Sequence, residues 1–182
     1  MEIPKTEFEI LEKEIVHEYT SLDKLIHRRR FRILALKDDL DCYYDKFFWS
    51  GDDFTMRTDI PGHQVALSGK ISLYDMYEYR FGKKLQKNEE IDLEVVWELN
   101  NSSQKAIPFF STTIEEPTKV LIMILKIPPS SGIKKVVCYT SGTVGAKKPF
   151  ESEELSRDSN GDYSWKIQNP KLLYSYEINW SF

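Results

Sequence analysis

The chain has 182 residues, with 25 basic against 29 acidic side chains, and is 41% hydrophobic, 30% charged and 13% aromatic. That is the length of one domain with enough apolar mass for a core, and it excludes a disordered chain, a collagen repeat and a disulfide-rich miniprotein. A net charge of −4 excludes an obligate nucleic-acid coat, because counterion release needs a dominant basic field, so duplex nucleic acid is not an expected partner.

The N-terminus carries Glu2, Glu7 and Glu9 and lacks a basic start followed by an apolar stretch, so it does not read as a signal peptide. The longest aliphatic run, Val120 to Leu125, is far shorter than the roughly 20 residues that span a bilayer. Cys42 and Cys138 stand apart among apolar and aromatic residues and read as buried thiols in a reducing compartment. The sequence therefore suggests a soluble, cytoplasmic protein with no membrane partner within this chain.

Phe8, Leu11, Ile15, Tyr19, Leu22 and Ile26 recur at spacings of three and four, with Glu and Lys between them. The spacing predicts an amphipathic helix, and residues 1–26 are assigned to an N-terminal helical segment. A strand beginning at Phe8 and Ile10, alternating with Glu7 and Glu9, is the competing reading. From Arg30 the period changes to two: Phe31, Ile33 and Ala35 alternate with Arg30, Arg32 and Leu34. Leu40 to Trp49 is a further strand, stopped by Ser50-Gly51-Asp52. Glu90 to Leu99 is the clearest, with Ile91, Leu93, Val95, Trp97 and Leu99 on one face. Thr118 to Ile127, apolar on both faces, reads as a central strand. Strands at Ile133 to Thr140, Tyr163 to Gln168 and Leu172 to Trp180 complete the series. With no helical pattern after residue 26, residues 27–182 are expected to form a single antiparallel β-sandwich of immunoglobulin-like type, with a closed barrel as second choice. The run Tyr79 to Glu90, with Gly82 ahead of a long alternating strand, resembles bacterial β-sandwich domains in general and transfers no residue role.

Catalytic motifs are missing from the pattern. His17, His27 and His63 have no Cys or His at metal-like spacing, so no metal and no cofactor are expected. There is no Gly-x-Ser-x-Gly elbow, and Cys42 lacks a basic neighbour. The five acidic pairs, such as Asp38-Asp39 and Glu115-Glu116, are sequence neighbours, which on a strand point to opposite faces. Ser141 to Lys148 departs from a phosphate-binding loop in its glycine spacing and reads as a loop suited to touch an anion.

Charge is blocked along the chain: residues 27–37 hold five basic residues and no acid, and residues 133–148 hold four Lys and no acid. On a strand, Arg28, Arg30 and Arg32 share one face, a row suited to phosphate or carboxylate. Cross-strand pairing with acids such as Glu94 and Glu98 accounts for the same row without a ligand. Two aromatic clusters accompany it, Tyr43 to Trp49 and Tyr74 to Phe81. The leading reading is a non-catalytic interaction module that binds a protein or self-associates through the N-terminal helix. The alternative is a sensor of a phosphorylated small ligand such as a cyclic nucleotide. Its candidate residues are Arg28, Arg30, Arg32, Lys134, Lys135, Lys147 and Lys148 for the anion, with Tyr44 and Trp49 stacking on a base. An enzyme without a recognisable motif comes third.

Overall fold

The computed structural model describes residues 6–142 and 151–182. The first seven strands are β1 (Phe8–Ser21), β2 (Lys24–Ala35), β3 (Leu40–Phe47), β4 (Phe54–Arg57), β5 (Gln64–Ile71), β6 (Tyr74–Leu85) and β7 (Glu90–Asn100). The remainder are β8 (Phe109–Thr113), β9 (Val120–Lys126), β10 (Lys135–Gly142), β11 (Glu151–Glu154), β12 (Tyr163–Gln168) and β13 (Tyr174–Ser181). One short 3-10 turn, Pro129–Ser131, is the only helical element among the described residues.

They form three sheets: a six-stranded one in the order β12-β9-β1-β2-β7-β4, a four-stranded one β11-β10-β13-β8, and a three-stranded one β3-β6-β5. Among the described residues none closes into a barrel. All pairs between named strands are antiparallel except β1 with β9, which run parallel from Lys13↔Leu121 to Glu18↔Lys126.

The expected N-terminal helix is replaced by β1, paired with β2 from Phe8↔Ala35 to Ser21↔Lys24. The three-and-four spacing has a different origin. A register irregularity between Ile10 and Glu12 inserts Leu11, so the inward set changes from Phe8 and Ile10 to Lys13, Ile15, His17 and Tyr19. Val16 on the opposite face is buried too, which gives the segment apolar residues on both sides. Leu22, read as part of a helical stripe, is an exposed turn residue. Self-association through a helix here thus has no helix to act through. β2 also runs without a break across residue 26, the boundary that the helical reading suggests.

The later alternation appears as written in the sequence. On β7, Leu93, Val95, Trp97 and Leu99 are buried while Glu98 is exposed. Trp97 stacks on Phe47, with ring centroids 4.4 Å apart, and meets Tyr77 edge-on at 5.1 Å. These contacts tie the six-stranded sheet to β3 and β6. On the other side, His17 of β1 stacks on Phe110 of β8 at 5.2 Å, joining the six-stranded to the four-stranded sheet. The core therefore lies where all three sheets meet, and the inward face of β2 runs through that junction.

No helix among the described residues is long and apolar enough to cross a membrane.

Candidate functional site

Alternation along β2 turns Arg28, Arg30 and Arg32 outward, and His27, Arg29 and Phe31 inward. An inward arginine needs a counter-charge. Asp45 of β3 supplies it: its Oδ2 accepts from the Arg29 guanidinium at 2.9 Å and from the Tyr77 hydroxyl at 2.9 Å, while Lys13 Nζ lies 3.7 Å away. Asp45 Oδ1 accepts the backbone N–H of Lys46 at 2.8 Å, and Arg29 donates a further bond to the Lys46 carbonyl at 2.7 Å. The two cations also lie over rings, Lys13 over Phe31 at 5.1 Å and Arg29 over Trp97 at 5.5 Å.

The network extends into the histidines. Arg29 Nε donates to His27 Nε2 at 3.1 Å, so neutral His27 carries its proton on Nδ1 and donates it to His17 Nδ1, also 3.1 Å away. Burial holds the His17 pKa down at about 3. Burial, reinforced by the Arg29 charge, pushes that of His27 well below its ordinary value. Burial alone would raise the pKa of Asp45, but Lys13 and Arg29 outweigh it and hold the carboxyl ionised. Burial lowers the pKa of Lys13 despite Asp45. Glu116, which accepts from the Tyr43 hydroxyl at 3.3 Å, is pushed up to about 7, chiefly by burial and against the pull of Lys13.

This network forms the floor of a pocket of about 310 Å³. His27, Arg29 and Asp45 lie at its base, Lys46 and Glu115 form an ion pair at its side, and all five residues of β8 border it. Phe48, Trp49 and Tyr74 wall the remainder. The Trp49 ring lies against Gly51, where any Cβ would collide with the indole, so this turn requires glycine. Buried Trp49 Nε1 has no hydrogen-bond partner among the described residues. Around the mouth, Ile71 and Tyr74 are 55% and 44% exposed.

Of the sequence-derived candidates among the described residues, Trp49 alone lies in this pocket. Arg28, Arg30 and Arg32 stand together on the outer face of β2, each beside an acid. Arg30 bonds Glu94 at 2.6 Å and Glu14 at 3.4 Å, Arg28 lies 3.7 Å from Glu94, and Arg32 bonds Asp92 at 3.3 Å. Lys135 pairs with Glu154 at 3.2 Å in the four-stranded sheet, and exposed Lys134 precedes it. Tyr44 is exposed on β3, opposite Glu78 of β6. Lys147 and Lys148 lie outside the described residues. The proposed anion groups are thus divided between two sheets.

Sequence reasoning missed Lys13, Arg29 and Asp45. Arg29 had a signal, since it shares a face with Phe31 and Ile33. Lys13 had none, because the bulge at Leu11 carries it inside. Among the described residues no group of three or more His, Cys, Asp or Glu side chains is placed to hold a metal ion.

No family model matches the chain, and no curated protein is similar to it in sequence. Its fold is similar to part of a putative protease from Parabacteroides distasonis, with a TM-score of 0.54 and 10% identity over 97% of this chain and 40% of that one. It is also similar to part of yeast LTA4 hydrolase, with a TM-score of 0.50 and 10% identity over 95% of this chain and 29% of that one. An M1 zinc metallopeptidase from Deinococcus radiodurans gives a TM-score of 0.47 at 8% identity, over 96% of this chain and 42% of that one. The chain spans less than half the length of each of these proteins, and what it shares with the first two is the fold.

Proposed function

We propose that the chain is a non-catalytic binding module of β-sandwich type, acting in the cytoplasm through the pocket between β3 and β8. The observation that carries this reading is the apolar rim, Ile71 and Tyr74, standing exposed beside a cavity whose floor is closed by hydrogen bonds among His27, Arg29 and Asp45. Exposed apolar residues gathered at a concave site are a mark of binding surfaces.

The floor favours binding over chemistry. Both nitrogens of His27 are engaged, so it has no free lone pair for a general base. Arg29 and Asp45 are committed to each other through a bond of 2.9 Å. Two unpaired cysteines, Cys42 and Cys138, support a reducing compartment.

The sensor reading draws support from the outward row Arg28, Arg30 and Arg32, but an anion there must displace Glu94 and Asp92. A thermal-shift panel decides between the two, because a ligand of the folded state raises the melting temperature. Indole and phenyl fragments should raise it for wild type and not for Trp49→Ala. A shift confined to nucleotides or inorganic phosphate, retained in Trp49→Ala and lost in Arg30→Ala, would replace the pocket reading with the sensor.

A further inference from the structure

We infer that the pocket takes an extended polypeptide segment of a partner, added as a strand to the free edge of β8, with apolar side chains at alternate positions. The inference rests on the reading of this pocket as the binding site.

Among the described residues, β8 ends the four-stranded sheet, bonded to β13 on one side only. Trp180 N–H donates to the Pro108 carbonyl, and Ile114 N–H donates to the Tyr174 carbonyl. With the register Phe110↔Ile178 and Thr112↔Tyr176, the even-numbered residues exchange bonds with β13. The peptide groups of Ser111 and Thr113 therefore point away from β13. The pocket is bordered by five consecutive residues of β8, from both of its faces, as an edge would present them.

The edge is also unprotected. Among the described residues six strands end a sheet, and five carry charge: β3, β4, β5, β11 and β12 each contain Asp, Glu, Lys or Arg. β8 reads Phe-Phe-Ser-Thr-Thr and has none. Charge on an edge is a common guard against strand addition, and its omission leaves a template for a strand. Across the pocket, β3 has its Lys46 peptide closed off: the Asp45 carboxylate takes the N–H, and Arg29 takes up the carbonyl. The incoming strand is thereby directed to β8. Side chains alternating along that strand would meet the apolar rim of Ile71 and Tyr74, which supplies the choice of apolar residues.

The test uses a displayed library of random linear peptides selected on the full chain, followed by synthesis of the strongest binder. Methylating its backbone nitrogens one at a time should weaken binding tenfold or more at every second position, where the amide faces β8, and leave the others unchanged. Ser111→Ala should bind as wild type does, since the backbone is what is recognised. Ser111→Pro should abolish binding by removing an edge donor that β13 does not use. A binder that tolerates methylation at every position is held by side chains alone, which overturns strand addition and leaves the binding-module reading intact. A library that yields no binder also overturns it, and the indole and phenyl panel then tells independently whether the pocket itself binds. Dimerisation of the wild type that competes with the peptide and is lost in Ser111→Pro would make a second copy the occupant and overturn the partner peptide.

Discussion

Arg29 and Asp45 meet at 2.9 Å across the junction of the six-stranded and three-stranded sheets, where the side chain of Arg29 is only 4% exposed. A buried pair of this kind is weak evidence of net stability, but breaking it is costly because the remaining charge has no water. Asp45→Ala leaves two buried cations, Lys13 and Arg29, without their carboxylate. It should destabilise by about 3–5 kcal/mol in denaturant melts. Replacing Arg29 and Asp45 together by Met and Leu should cost much less, and equal losses in the single and double variants would argue against the pairing.

Glu116 predicts a pH dependence of the opposite sign to the histidines. Its folded pKa, about 7, lies above the ordinary 4.5, so its contribution is full below pH 4.5 and is lost as pH rises through 7. Wild type should therefore lose roughly 2–3 kcal/mol more than Glu116→Gln between pH 5 and pH 8, from one group displaced by this amount. His17, held at about 3, contributes fully above pH 6.5, and that contribution falls away as the pH drops toward 3. Unfolding midpoints measured across pH 4 to 8 for wild type, Glu116→Gln and His17→Phe separate the two slopes.

Trp97 packs between Phe47 and Tyr77 with no exposed surface, so Trp97→Ala should cost roughly 3–5 kcal/mol as a core truncation. Glu98 on the opposite face of β7 is exposed and pairs with Arg57 at 3.3 Å. Glu98→Ala should change stability by less than about 1 kcal/mol. Similar unfolding midpoints for the two variants would show the face assignment to be wrong.

Arg30 is 54% exposed beside Glu94 and Glu14, so Arg30→Ala should change stability by no more than about 1 kcal/mol. If the row binds phosphate, calorimetry should find a salt-sensitive affinity that Arg30→Ala reduces about tenfold, the worth of one charge-assisted bond. No measurable heat with inorganic phosphate or nucleotides in either protein is the result expected here.

Much of the β architecture was legible in the sequence, because Glu90 to Leu99 and Tyr163 to Gln168 alternate between a more buried and a more exposed face, with buried Val96 the exception. The first strand was not, since β1 carries a bulge and buries Val16 on its outward face, which turns a period of two into an apparent three and four. The site was legible only in fragments. Trp49 and the inward Arg29 follow from local patterning. The meeting of Asp45 with Lys13, and of Lys46 with Glu115, depends on how three sheets come together and leaves no local trace. The row of arginines stood out because it is contiguous, although its charges are balanced by acids distant in sequence.

The pocket between β3 and β8 is the centre of the account, and amide chemical-shift mapping on isotope-labelled protein tests it most directly. Titration with indole should move the signals of Trp49, the Trp49 side-chain N–H, and Phe109 to Thr113, leaving Arg28 to Arg32 in place. Shifts confined to the outer face of β2, or no shift anywhere at millimolar indole, would contradict it.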